Sequence, residues 1–240
     1  MSKKERLDKI LANMGYGSRK DVKRLIKDGR VKVNDNIVFN SDFKVNPYDD
    51  HILLDNDKIN YRKYIYLMMN KPKGVVSSTD DPNSNTVIDM LDDKYLVYKP
   101  FPVGRLDKDT EGLLLISNDG KLAHELLSPK KRVNKKYYAE VDGYVEEDHI
   151  ELFKKGITLD DGYKTLPSQL KIISSGVVSK VYLTIQEGKF HQVKRMFQSI
   201  GMKVLYLKRI SMGSLVLDND LALGQVRELT EEEISLLKNI

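Results

Sequence analysis

Twelve residues, Gly104-Arg105-Leu106-Asp107-Lys108-Asp109-Thr110-Glu111-Gly112-Leu113-Leu114-Leu115, crowd charged side chains between two glycines and then run into an apolar strand. That order sets Arg105 and Asp107 on a tight loop anchored by a buried element, a common place for reactive groups. A carboxylate held there can serve as a nucleophile. Equally, Asp107 or Asp109 can do no more than accept backbone amides in a turn. The residues alone leave both readings open.

Two further segments carry chemistry. In Glu187-Gly188-Lys189-Phe190-His191-Gln192-Val193-Lys194-Arg195-Met196-Phe197 a glycine turn leads into a helix with Val193, Met196 and Phe197 on one side. Its other side offers Lys194 or Arg195 to a carboxylate or phosphate. A cation beside a buried Asp keeps it ionised. In Lys130-Lys131-Arg132-Val133-Asn134-Lys135-Lys136-Tyr137-Tyr138, five basic residues lead into paired tyrosines. Cations neutralise phosphate and rings stack on extruded bases, so this mixture suits nucleic acid. Ordinary strand packing is the alternative, with alternation turning one ring in and the other out.

Other chemistries find no support. The sequence has no Gly-rich phosphate loop, no Gly-x-Ser-x-Gly elbow and no cysteine, and its four histidines (His51, His124, His149, His191) lack metal-ligand spacing. A reaction here is expected to use carboxylates, basic groups, tyrosines or hydroxyls, with no metal and no cofactor. There is no apolar run long enough for a membrane span and no signal-peptide pattern at the start, so the expected compartment is the cytoplasm.

The elements that must position these residues can be read from spacing. Leu7, Ile10, Leu11 and Met14 mark a first helix, stopped by Gly15 and Gly17; Ser18 caps a second helix that runs to about Asp28. On that helix Val22, Leu25 and Ile26 form an apolar stripe, while Arg19, Lys20, Lys23, Arg24 and Lys27 share the opposite face. Residues 1–34 hold eleven Lys or Arg against four Asp or Glu, whereas residues 35–58 hold two against six. The net charge of +5 hides this separation, which favours an anionic partner at the N-terminal face. Short strands follow, then a polar stretch at Lys58–Lys63 that reads as a linker. Beyond it strands and helices alternate irregularly, so the fold class is α+β. The expected division is 1–58, a 59–63 linker, and 64–240.

The first 58 residues resemble the S4-like RNA-binding domain, through L-D-K-I-L-A and S-R-K-D-V-K-R-L-I-K-D-G-R-V-K-V-N. The remainder resembles the pseudouridine synthases of the RsuA family, which modify small-subunit ribosomal RNA. The resemblance rests on N-K-P-x-G at Asn70–Gly74, G-R-L-D-x-x-T-x-G-L-L-L at Gly104–Leu115, K-K-Y-Y-A-E-V from Lys135, and E-G-K-F-H-Q-V-K-R-M-F from Glu187. It implies a catalytic domain built on a mixed, mainly antiparallel sheet flanked by helices. Asp107 is then the essential carboxylate, Tyr137 the ring that stacks on uracil, and Lys194 the basic partner of Asp107, with Arg195 as its substitute. Arg105 holds the extruded nucleotide or fills its place. Arg19, Lys20, Lys23, Arg24 and Lys27, with Lys71, Arg132, Lys135, Lys189, His191, Gln192 and Arg195, are expected to contact RNA. The implied partner is 16S ribosomal RNA in an assembling small subunit, and a monomer suffices. A non-catalytic assembly factor on the same scaffold, or a synthase for large-subunit RNA, are the alternatives; the first has no need of Asp107.

Overall fold

The computed structural model describes residues 4–239, which divide into two compact units. In the first, α1 (Leu7–Asn13) and α2 (Arg19–Lys27) lie beside a small antiparallel sheet. Its strands β1 (Val31–Val33), β2 (Asn36–Ile37), β3 (Ile52–Leu54) and β4 (Asp57–Lys58) are ordered β2-β1-β3-β4. Ser18 and Asp21 close a reciprocal capping box at the start of α2, satisfying amides that the helix cannot. Val22 and Ile26 are buried with Leu7, Ile10 and Leu11, and all five basic residues of α2 are exposed. The apolar stripe therefore fixes where the cations point.

This unit extends further than expected. Ile59 is buried in its core, and the amide of Ile59 donates to Ile52 O (2.9 Å). The unit runs to Ile65; of the expected linker, Ile59 packs in the core and residues 60–63 have no regular secondary structure. Residues 92–99 also group with this unit. They include α3 (Asp93–Leu96), and Val97 leaves no room for a Cβ at Gly15, which has φ +83°.

The second unit is a nine-stranded sheet. Its main path orders β8 (Gln169–Ser174), β9 (Val178–Ile185), β7 (Lys135–Asp142), β10 (Lys203–Met212), β6 (Glu111–Ser117), β5 (Tyr66–Lys71) and β11 (Val226–Glu228). Pairing is antiparallel except where β10 meets β6, with Lys208 opposite Glu111 and Arg209 opposite Gly112. The helices are α4 (Gly120–Leu127), α5 (Glu147–Lys155), α6 (Gln192–Gln198) and α7 (Glu231–Lys238). The class is mixed α and β with a mainly antiparallel sheet. Among the described residues no helix is long and apolar enough to cross a membrane.

Strands β5 and β6 are buried along their whole length, which explains their near-continuous apolar runs. Asn70 and Lys71 extend β5 because both find partners inside. Asn70 Nδ2 donates to Leu221 O (2.7 Å) and Lys71 to loop carbonyls. The parallel contact depends on Gly112: its φ is +101°, and a Cβ there would lie 2.3 Å from Arg209 O. Gly112→Ala should therefore cost about 3 kcal/mol or more in urea unfolding. Gly120→Ala, at an open helix start without positive φ, should change stability by less than about 0.5 kcal/mol. Equal midpoints for the two would refute the role of Gly112.

Candidate active site

A hollow on one face of the sheet is lined by Arg105, Leu106, Asp107, Thr110, Tyr137, Ile185, Lys189, His191, Val193 and Leu207. Its floor is the loop between Val103 and β6. That loop is held from beneath by Lys71, whose side chain is 0% exposed. Lys71 Nζ donates to the carbonyls of Pro72 (2.9 Å), Thr110 (3.0 Å) and Asp107 (3.2 Å). Ser77 Oγ donates to Leu106 O (3.0 Å) and accepts from Leu106 N (3.1 Å), while Gly74 N donates to Lys108 O (2.6 Å). The backbone of Asp107 is thus committed to the scaffold, and its side chain is left to face the hollow.

The carboxylate meets a cation from α6 and the imidazole that precedes the helix. Lys194 Nζ lies 3.1 Å from Asp107 Oδ2 and 2.5 Å from Asp109 Oδ1. His191 Nε2 is 3.6 Å from Asp107 Oδ1, and its ring stacks on exposed Phe190 at 3.8 Å between centroids. Partial burial disfavours the charge on Lys194, but hydrogen bonds to Asp109 and Asp107 outweigh it and raise its pKa above the ordinary lysine value. Burial likewise opposes ionisation of Asp109, and the Lys194 hydrogen bond reverses this, leaving its pKa lowered. A carboxylate with one face on an ammonium and the other toward a cavity has the geometry that a nucleophile needs. Thr110 Oγ1 is buried at the same hollow with no hydrogen-bond partner.

Of the residues singled out by sequence, Asp107, Arg105, Tyr137, Lys194, Lys189 and His191 come together here. Tyr137 is 8% exposed on the hollow's face; Tyr138 points to the opposite one, as strand alternation requires. Four expected RNA contacts are otherwise engaged. Lys71 is wholly internal. Lys135 is buried and donates to Val133 O (3.2 Å). Gln192 lines the hollow, but it is 4% exposed and its amide donates to Glu187 Oε1 (2.8 Å). Arg195 pairs with Asp160 and Asp161 (2.7 Å to the latter), away from Asp107. These were read as surface cations or amides because spacing cannot reveal burial. Arg132 stays exposed outside the hollow, in the left-handed region at φ +48°.

A brace on α6 is visible only in the tertiary structure. Glu187 is 8% exposed and accepts from Tyr163 Oη (2.7 Å), Leu166 N (2.9 Å) and Gln192 Nε2 (2.8 Å). Gln192 Oε1 in turn accepts from Lys189 N (2.9 Å). With Arg195 tied to Asp160 and Asp161, the segment 160–166 grips α6 at both its start and its middle. Signals for this were weak: a carboxylate before a glycine, and an isolated tyrosine 24 residues earlier.

A carboxylate beside an ammonium, a buried tyrosine and a basic surround thus share one hollow. The RNA pseudouridylate synthase family model matches residues 65–199, and the S4 domain model matches residues 5–51. The chain belongs to the RNA pseudouridylate synthases and carries an S4 domain at its N-terminal end. It is 48% identical to an RNA pseudouridine synthase of Bacillus subtilis strain 168, over 97% of this chain and 98% of the relative. It is 41% identical to ribosomal small subunit pseudouridine synthase A of Escherichia coli K12, over 96% and 98%. Ribosomal large subunit pseudouridine synthase B of Bacillus subtilis is 39% identical, over 98% and 96%. The activity is therefore uridine isomerisation in RNA.

Two predictions come from this geometry. Burial lowers the pKa of both Lys71 and Lys135 to about 8, offset in Lys71 by the charges of Asp109, Asp107 and Glu111 and reinforced in Lys135 by Arg209. The unfolded chain then binds more protons than the folded one between about pH 8 and pH 10.5, so these groups make stability rise with pH in that window. Nitrogen-15 NMR of lysine side chains should show two ammonium groups titrating near pH 8, one absent in Lys71→Met; titration at the ordinary lysine value would overturn this. Second, Tyr163→Phe removes one donor from Glu187. It should lower kcat about tenfold with KM unchanged, the size of one hydrogen bond to a charged group. Wild-type kcat would exclude the brace as a positioning device.

Proposed function

We propose that this enzyme converts one uridine of 16S ribosomal RNA to pseudouridine in an assembling small subunit in the cytoplasm, and that Asp107 is its catalytic carboxylate. The observation that carries the catalytic reading is the Lys194 ammonium 3.1 Å from the Asp107 carboxylate, across the hollow's edge from Tyr137. The glycosidic bond is out of reach in a stacked helix, so the target nucleotide is extruded, at a cost of a few kcal/mol. Arg105, exposed at the rim, holds the extruded nucleotide or fills the space it leaves. With Lys194 beside it, Asp107 adds to the sugar–base system as the bond from uracil N1 to the sugar breaks; C5 then bonds to the sugar, the carboxylate is released, and the C5 proton is lost while N1 gains one. Tyr137 stacks on the detached uracil and assists proton movement as the base turns and rejoins through carbon. Thr110, with its unpartnered hydroxyl, is a donor within reach of the same space.

The exposed cations of α2 grip structured RNA, and their binding energy helps to offset unstacking. The choice of 16S RNA rests on the ending R-E-L-T-E-E-E-I-S-L-L and on H-Q-V-K-R-M-F, which resemble the small-subunit type. Relatives of both kinds match nearly the whole chain at 41% and 39% identity, so overall similarity does not make that choice.

The test is to incubate the protein and Asp107→Asn with unmodified 16S and 23S RNA, free and in assembling subunits, and to map pseudouridine at single-nucleotide resolution. One 16S uridine modified by wild type, and a loss of at least about 10⁴-fold with retained RNA affinity in Asp107→Asn, is expected. Modification confined to 23S RNA would replace the substrate assignment. Full activity in Asp107→Asn would remove Asp107 from the mechanism.

A further inference from the structure

We infer that the open face of the sheet, opposite the active-site hollow, is a docking platform for single-stranded RNA flanking the target. This rests on RNA as the substrate but not on the identity of the catalytic residues. Burial alternates residue by residue along β7 and β9, with odd-numbered residues buried and even-numbered ones at least partly exposed. The partly covered face carries a cross-strand row through four strands: Lys171 opposite Tyr182, Tyr182 opposite Tyr138, and Tyr138 opposite Lys208. Two rings lie flanked by two ammonium groups.

The rings form a cluster centred on Tyr138, whose centroid is 6.0 Å from those of both Tyr182 and Tyr206. The next row, Gln169, Thr184, Lys136 and Ser211, lines a hollow with amide, hydroxyl and ammonium groups. Lys136 Nζ sits 4.3 Å from the Tyr182 ring centroid. A base stacking there replaces one π contact with another and frees the ammonium for a phosphate.

Charge and position choose the occupant. Acids and cations share this face: Tyr138 Oη donates to Glu140 (2.8 Å), Tyr206 Oη donates to Glu111 (2.7 Å), and Lys180 and Lys208 stand opposite those two carboxylates, while Lys136 and Lys171 lie at the start of β7 and on the edge strand β8. At this end β9 leads into the Glu187–His191 loop and Arg132 precedes β7, so an RNA strand leaving the hollow meets the edge marked by Gln186 and Asn134 (3.1 Å apart). Protein interfaces are depleted of lysine, whereas a four-stranded sheet with exposed aromatics and cations binds two or three stacked bases. None of these lysines lies in the catalytic hollow.

The experiment uses the full chain and a fluorescent 12-nucleotide oligouridylate. Lys171→Glu with Lys208→Gln should weaken binding about tenfold and make the dependence of log affinity on log salt shallower by about 1.4, the value for two phosphate contacts on a single strand. Tyr182→Leu should weaken binding about tenfold without changing that slope. Photocrosslinking of wild type to 4-thiouridine oligomers should map to β7, β8 or β9 and needs no variant to fold. Crosslinks confined to the N-terminal unit and the hollow, or unaltered affinity and slope in both variants, would overturn the proposal. So would concentration-dependent dimerisation of wild type abolished by the same substitutions, which would assign the face to a second copy. Pseudouridine mapping on ribosomal RNA, run alongside, reports the catalytic reading separately: crosslinks on this face without modification leave the platform standing alone.

Discussion

A buried ammonium organises this active site. Lys71 has no exposed surface, and an unpaired charge in that position would be strongly destabilising. It is compatible with the fold because the backbone carbonyls of Asp107 and Thr110, with that of Pro72, converge on it. The same contacts fix the loop's path, since a carbonyl aimed down at Lys71 leaves the Asp107 side chain to project upward. Much else follows from that requirement. β5 must pair with β6 so that Lys71 lies opposite Gly112, and β10 must approach closely at Gly112 to complete the floor.

The cations divide by burial into two groups with different work. Lys71, Lys135 and Arg209 are internal and bond to carbonyls: Arg209 Nε, for example, donates to Leu113 O at 2.8 Å. They hold strands and loops in register. The exposed cations of α2, and Lys189 at the hollow, remain available to phosphate. Lys194 stands between these groups, with a side chain 23% exposed and shared by two carboxylates. Partial burial strengthens its attraction to Asp107, and the acids on both sides keep it charged. Its position depends on α6, which is itself held by Glu187 and by Arg195 from outside the hollow.

The sheet joins these parts because neighbouring residues on a strand face opposite ways. Tyr137 belongs to the hollow and Tyr138 to the open face, although one peptide bond separates them. A single strand thus gives one ring to the hollow on one side and presents rings and cations on the other.

How much of this was legible in the sequence depended on how local the cause was. The capped α2 with its basic face, the strand after Gly112, and the candidates Asp107, Tyr137 and Lys194 could be named from periodicity and from motifs with a defined order. What tertiary structure decided was which charged residues are inside. Lys71, Lys135 and Gln192 carry side chains that composition reads as surface groups; only the convergence of distant carbonyls and Glu187 makes their burial stable. Ile59 looked like linker because its neighbours are polar, and it is a core residue because β4 returns beside β3. The brace from Tyr163 to Glu187 spans separate elements, so no local pattern announces it. Sequence by itself determined the chemistry available and the elements that carry it. Their convergence on one carboxylate, and the unequal fates of similar lysines, were set by long-range contacts, because desolvation depends on everything that surrounds a group.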